Sequence, residues 1–113
     1  MSIRYARQEA LWGEEGQRKL SDAHVAVIGA GGLGSPALLY LAGAGVGRIS
    51  LFDDDVVSPS NLHRQVIHTT AAIGTPKTDS AAAAVRALNP EVGITCHGRL
   101  ESATALKQLR GCD

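Results

Sequence analysis

Hydrophobic positions along the chain fall into short blocks that alternate between two patterns. His24-Val-Ala-Val-Ile28 is a compact, β-branched apolar run that stops at a glycine, the pattern of a strand buried on both faces. Leu33 to Ala44 is rich in Leu and Ala and carries Pro36 in its first turn, where a missing N–H costs little. It predicts a helix ended near Gly43, Gly45 and Gly47. Arg48-Ile-Ser-Leu-Phe52 alternates into a second strand and runs into Asp53-Asp54-Asp55. Strand, helix and strand form one βαβ unit. Its right-handed crossover puts the glycine segment at the carboxyl edge of the strands.

From Val56 to Thr75 the periodicity is lost and polar residues dominate. A connection of about twenty residues, where compact domains manage with roughly six, points to a functional loop. Thr75-Pro76 predicts the next helix start, with Thr75 as cap and Pro76 in the first position, and Ala81 to Leu88 continues it as far as Asn89-Pro90. A third strand is predicted over Val92 to His97. Glu101 to Leu109 reads as a further helix, with Ser102 as candidate cap and Gly111 closing it. The alternation then calls for a fourth strand, which these 113 residues do not supply. Three strands alone would leave an apolar edge open, so the chain reads as a fragment of a longer protein.

Composition narrows the chemistry by exclusion. Aliphatic residues and glycine are plentiful while only 4% of residues are aromatic, which suits helices packed closely on a parallel sheet. The 11 basic and 11 acidic side chains cancel, so no bulk field favours nucleic acid or an anionic membrane as partner. No apolar run approaches a membrane span and the first residues lack a secretory pattern, which makes the cytoplasm the expected location. Cys96 and Cys112 form no C-x-x-C pair and read as reduced thiols, Cys96 in a structural role within its strand.

The candidate chemistry lies in the glycine segment. Gly29, Gly31 and Gly34 satisfy G-x-G-x-x-G between a strand and a helix, about twenty residues before an acid at a strand end, as a dinucleotide fingerprint requires. Free N–H groups and the positive end of the helix dipole attract phosphate there, and Asp53 can accept hydrogen bonds from ribose hydroxyls. The bland reading is that the glycines only pack helix against strand. A Walker loop is excluded, since Ser35-Pro36 follow Gly34 where that motif needs Lys and then Ser or Thr. An NAD-dependent oxidoreductase fits these features equally well. What separates the two is the next loop, Ser60-Asn61-Leu62-His63-Arg64-Gln65, where Arg64 offers a planar fork of donors to phosphate and Asn61 stands beside it. Lys77 lies in the first turn of a helix, where the dipole disfavours a cation, so a compensating anion is expected; a polyphosphate held between Lys77, Arg64 and the first helix would serve. The bland readings are a solvated Arg64 and a Lys77 reaching into water.

With these residues in place the sequence resembles the ThiF, MoeB and ubiquitin-activating E1 superfamily, and within it the bacterial sulfur-carrier adenylyltransferases. The resemblance rests on four ordered blocks: Arg4-Tyr-Ala-Arg7-Gln8, Gly29-Ala-Gly-Gly-Leu-Gly34, Asp53 through Gln65, and Gly74-Thr-Pro-Lys77. It implies an α/β fold in which a Rossmann-like parallel sheet flanked by helices, residues 23–113, follows an N-terminal helical arm, residues 1–22, that makes dimer contacts. It implies ATP and Mg²⁺ as cofactors, a homodimer, and adenylation of the C-terminal glycine carboxylate of a small ubiquitin-like sulfur-carrier protein. Gly31, Gly32, Asp53, Ser60, Asn61, Leu62, His63, Arg64 and Lys77 would contact ATP, with Arg64 and Lys77 neutralising the triphosphate. Arg7 would act in trans on the neighbour's phosphates, against the bland reading of an i, i+3 partner of Arg4. By the same resemblance no metal ligand lies within this chain: the Mg²⁺-organising aspartate belongs to the segment that Asp113 approaches, and the zinc cysteines lie later still. The isolated chain would then lack part of the active site, and a non-catalytic nucleotide-binding module is the remaining alternative.

Overall fold

The computed structural model describes residues 3–113. The arm helix α1 (Ala6–Asp22) leads into β1 (His24–Ile28), α2 (Gly34–Ala44), β2 (Arg48–Phe52), α3 (Lys77–Leu88), β3 (Gly93–His97) and a short α4 (Ala105–Gln108). The three strands pair in parallel in the order β1-β2-β3, so the expected α/β architecture is present. Val25 pairs with Ile49 and Val27 with Leu51, while Ile49 pairs with Ile94 and Leu51 with Cys96. Because side chains alternate along a strand, these residues share one face. They pack with Leu38 and Ala42 of α2 and with Ala81, Ala82 and Val85 of α3 in the apolar core. The small alanines let helix backbones come close to the sheet, which is how so few aromatic residues suffice.

The expectation that β1 is buried on both faces is met on one side only. Ile28 is 57% exposed on the opposite face, while Phe52 there is covered and its ring stacks on His97 with centroids 4.5 Å apart. That face is covered thinly because the segment after β3 does not form the continuous helix predicted over Glu101–Leu109. It makes a 3₁₀ turn at Ser102–Thr104 followed by the single turn of α4, and Leu106 remains 92% exposed. Ser102 does not cap it. Instead Gln108 Oε1 accepts from the Glu101 N–H at 3.2 Å and from Thr104 Oγ1 at 2.9 Å, drawing the turn tight. The start of α3 differs too: Pro76 occupies the cap position with ψ 138°, and Thr75 Oγ1 turns away to donate to Ala72 O at 2.6 Å. Proline needs no N–H partner at this position, so the helix starts without a side-chain cap.

One buried polar side chain fastens the far end of the fold. Asn89, with none of its surface exposed, donates from Nδ2 to Ala42 O at the end of α2 and to Tyr5 Oη, both at 2.8 Å, and accepts the Glu91 N–H on Oδ1 at 3.1 Å. Tyr5 in turn donates to Glu91 Oε2 at 2.9 Å. Burial above all pushes the Tyr5 hydroxyl above its ordinary pKa, an effect the Asn89 hydrogen bond opposes and Glu91 reinforces. The arm is also held by Gln17 Nε2, which donates to Ala44 O at 2.9 Å, and by the Gly47 N–H donated to Leu20 O at 3.0 Å. Within the arm, Gly13 has φ 74° and ψ 176°, so α1 is two helical pieces meeting at a break. At the start of β1, Asp113 donates its N–H to His24 O at 2.7 Å and accepts the His24 N–H on Oδ2 at 2.8 Å. That is the end of the sheet opposite the glycine segment.

Replacing Asn89 with Ala strands the buried Ala42 carbonyl and removes the bonds to Tyr5 and the Glu91 N–H, and is expected to lower unfolding free energy by about 2–4 kcal/mol. Urea denaturation followed by Trp12 fluorescence measures this. A loss below about 0.5 kcal/mol, the scale of an ordinary surface substitution, would show that the network does not hold the arm to the sheet.

Candidate nucleotide-binding site

The glycine segment leaves β1 through Gly29, whose φ of 93° favours a residue without Cβ and whose N–H donates to Phe52 O at 2.7 Å. The chain then doubles back over itself so tightly that a Cβ on Gly34 would lie 1.9 Å from Gly29 O. Between them, the backbone polar groups of Ala30 are fixed on both sides. Asp53 Oδ2 accepts the Ala30 N–H at 2.8 Å, and Ala30 O lies 2.8 Å from His68 Nε2 and 3.3 Å from Ser35 Oγ. A carbonyl only accepts, so His68 Nε2 carries the proton and Nδ1 receives the Ser80 hydroxyl at 2.8 Å. His68 is 6% exposed and thereby links α3 to the glycine loop. Asp53 spends its other oxygen on the Asp55 N–H at 2.8 Å. It organises the loop, and with Gly29, Asp54, Arg99 and Leu100 it lines a cleft of about 240 Å³.

The long connection after β2 is ordered. Val56 and Pro76 form an antiparallel bridge at its base, where the Val57 N–H donates to Thr75 O at 2.8 Å and the Gly74 N–H to Val57 O at 2.9 Å. Val57 and Ile67, each 2% exposed, anchor it in apolar surroundings. The 3₁₀ turn Pro59–Asn61 then aims Arg64 back across the glycine loop: a Cβ on Gly32 would lie 3.7 Å from Arg64 Cδ. Arg64 Nη2 donates to Asn61 Oδ1 at 2.9 Å, and Nη1 lies 3.3 Å from His63 Nε2. Ser60 Oγ meets Ser58 Oγ at 3.1 Å on the exposed side of the turn, and Leu62 is half-buried. Gln65, 4% exposed, places Nε2 at 3.7 Å from the position of a Gly31 Cβ, and its buried Oε1 has no partner among the described residues.

Lys77 is buried, not reaching into water, and the anion that offsets it within the chain is Asp55: Nζ lies 3.8 Å from Asp55 Oδ2, and the Lys77 N–H donates to Asp55 O at 2.9 Å. A polyphosphate is therefore not required to explain a cation in the first turn of α3. Arg7 is exposed and lies at the other end of the molecule. Its neighbours Arg4 and Tyr5 bond to Leu88 O and Glu91, at the carboxyl end of α3, and α2 extends 11 residues, about 16 Å, from the glycine loop to that end. Arg4 lies in a 3₁₀ turn before α1 and pairs with Glu91 at 3.5 Å, so it is engaged elsewhere than with Arg7.

Sequence reasoning did not anticipate His68, Ser80, Asp55, Arg99 or Leu100 at this edge. Among the described residues, Asp53, Asp54 and Asp55 bring ligand atoms within 4.8 Å of one another. Asp53 is taken by two backbone N–H groups and Asp55 faces Lys77, so this cluster does not fit a magnesium site. Cys96 donates to Thr78 O at 3.4 Å; burial foremost, with the Asp79 carboxylate, pushes its thiol above the usual value, which suits a structural and not a nucleophilic role. Among the described residues no helix is long and apolar enough to cross a membrane.

A glycine loop at the carboxyl edge of a parallel sheet, overlaid by an arginine-bearing segment, defines a Rossmann-like α/β unit. Residues 5–113 match the ThiF family, and the chain belongs to it. It is 49% identical over 102 residues to the SAMP-activating enzyme E1 of Haloferax volcanii, covering 89% of this chain and 38% of that protein. It is 56% identical over 93 residues to the adenylyltransferase and sulfurtransferase MOCS3 of Arabidopsis thaliana, covering 80% of this chain and 20% of that one. The Escherichia coli tRNA N6-threonylcarbamoyladenosine dehydratase TcdA, solved with ATP, superposes with a TM-score of 0.90 at 31% identity, over 96% of this chain and 45% of that one. E. coli MccB with ATP gives 0.85 at 28% identity, over 96% and 35%. The chain thus spans less than half the length of each of these relatives.

The loop geometry separates two kinds of glycine. Gly34→Ala forces a Cβ into a backbone carbonyl and is expected to lower the melting temperature by at least about 5 °C, whereas Gly32→Ala meets only ordinary contacts and should melt within about 2 °C of the parent. Thermal melts decide; equal effects would contradict the turn described.

Proposed function

We propose that this chain is the nucleotide-binding part of a cytoplasmic enzyme that adenylates the C-terminal glycine carboxylate of a small ubiquitin-like sulfur-carrier protein. A carboxylate oxygen of the carrier attacks the α-phosphorus of ATP, the bond from that phosphorus to the bridging oxygen breaks, and pyrophosphate leaves with the electron pair. The observation that carries this reading is Arg64 lying across Gly32, since it puts a planar guanidinium over the loop whose N–H groups receive phosphate. A dinucleotide site needs no such cation there.

In this reading Gly31 and Gly32 admit the phosphates close to the backbone, and Asp53, already fixed by two N–H groups, receives the ribose. Ser60, Asn61, Leu62 and His63 shape the covering turn. Arg64 and Lys77 stabilise charge on the leaving pyrophosphate, a role in which preorganised cations are worth several kcal/mol. Lys77 would exchange its long contact with the exposed Asp55 carboxylate for phosphate oxygens. Magnesium, when bound, supplies further charge neutralisation, and its protein ligand would come from outside this chain. Arg7, remote from its own loop, serves a second copy in a homodimer. The tRNA enzyme TcdA shares the fold, but relatives about half identical to this chain bear the names of enzymes that activate SAMP or are adenylyltransferases and sulfurtransferases, which favours a protein carrier as substrate.

Calorimetric titration with ATP–Mg²⁺ and with NAD tests the reading: ATP is expected to bind and NAD not. Arg64→Ala and Lys77→Ala should each weaken ATP by about tenfold or more and AMP far less, since a charge-assisted contact to the outer phosphates is lost. Tight NAD binding, or equal loss for ATP and AMP, would refute it.

A further inference from the structure

The peptide that joins Ala30 to Gly31 carries a buried acceptor at one end and an N–H of the glycine loop at the other. Among the described residues no peptide bond is cis. In a trans peptide the carbonyl and the N–H point to opposite sides of one plane, so whatever holds Ala30 O also aims the Gly31 N–H. Ala30 has no exposed surface, and its carbonyl lies 2.8 Å from His68 Nε2, with the Ser35 hydroxyl as a longer second donor at 3.3 Å. The Gly31 N–H is therefore directed away from the buried ring, and among the described residues it donates to no backbone acceptor. Glycine at this position admits backbone angles that other residues resist, which leaves the peptide easy to turn over. Turned over, it would set a carbonyl oxygen where the loop otherwise sets an N–H, and that oxygen would repel phosphate.

His68 is suited to prevent this. It is 6% exposed, and its tautomer is fixed by a second residue: Ser80 of α3 donates its hydroxyl to Nδ1 at 2.8 Å, which leaves the ring proton on Nε2, facing Ala30 O. With the proton on Nδ1 instead, two lone pairs would face each other across that contact. Ser80 stands one helical turn beyond Lys77, so the same brace sets the spacing between the glycine loop and the helix that carries Lys77. We propose that His68, with its tautomer set by Ser80, is a positioning residue for nucleotide binding: it locks the Ala30–Gly31 peptide so that the Gly31 N–H, not a carbonyl oxygen, faces the phosphates. The role in binding rests on the reading of this loop as an ATP site, whereas the lock exists without nucleotide.

Two measurements test it separately. Imidazole ¹⁵N spectra and the ¹³C shift of the Ala30 carbonyl, recorded without nucleotide at about pH 8 where an ordinary imidazole is neutral, read the lock. Calorimetric titration with ATP–Mg²⁺ reads its consequence. The parent is expected to show one His68 tautomer, with the proton on Nε2, and Ser80→Ala a mixture of two with ATP binding weakened about threefold. His68→Phe keeps a ring in place without a donor; it should move the Ala30 carbonyl shift and weaken ATP by about tenfold, the scale of a lost buried hydrogen bond. His68→Gln retains a donor and should recover most of that loss, and Ser35→Ala, which removes the longer bond, should lose less than His68→Phe. An Nδ1-protonated ring in the parent, ATP affinity within about twofold of the parent in His68→Phe, or equal losses in His68→Phe and His68→Gln would each overturn the proposal. If His68→Phe does not fold, an unchanged tautomer and affinity in Ser80→Ala overturn it. A parent that shows the Nε2 tautomer but binds no ATP refutes the reading of the site, and one that binds ATP without that tautomer refutes the lock.

Discussion

The carboxyl edge of this sheet depends on Ala30, whose two backbone polar groups are both held. Its N–H is held by Asp53 from the end of β2, and its carbonyl by His68, itself braced on Ser80 of α3. Three successive elements of the fold thus fix the point at which the glycine loop begins to turn. With Ala30 fully buried, the loop cannot rotate its amides away from the surface without breaking charge-assisted and buried hydrogen bonds together. That is preorganisation in the sense that matters for a phosphate site: donors already stand where charge will be, so binding need not first order them.

The same clamp explains the placement of the covering loop. His68 lies in the long connection, so the bond that steadies Ala30 also draws residues 60–65 over the glycines, and the bridge between Val56 and Pro76 closes the excursion at its base. Arg64 over Gly32 and Gln65 beside Gly31 follow from that closure. At the other end, Asn89 plays a matching structural role, joining the ends of α2 and α3 to the arm. The arm, Arg7 with it, is thereby held far from its own glycine loop.

The strands, α2, the glycine loop and Asp53 were legible in the sequence because each follows from local pattern: apolar runs, glycine spacing, an acid at a strand end. Arg64 was legible through its neighbours in the motif. His68 was not, because its role is set by a contact across 38 positions with a backbone carbonyl, and no spacing rule marks that. Lys77 was read as a cation in a helix's first turn that calls for an anion; within the chain Asp55 lies against it, brought there where the segment after β2 meets the approach to α3 at the Val56–Pro76 bridge. The last helix was overestimated because its apolar stripe finds little to pack against, as the exposure of Leu106 shows. Tertiary contact, not propensity, decides such short segments.

The proposed function requires a loop clamped at Ala30 that receives a nucleoside triphosphate beneath Arg64. Amide and guanidinium NMR on the chain, before and during titration with ATP–Mg²⁺, measures it most directly. The account predicts a slowly exchanging Ala30 amide before ATP is added, and saturable shifts at Gly31, Gly32 and Arg64 Nε as it binds. A rapidly exchanging Ala30 amide, or saturation with shifts that avoid those three groups, would contradict it.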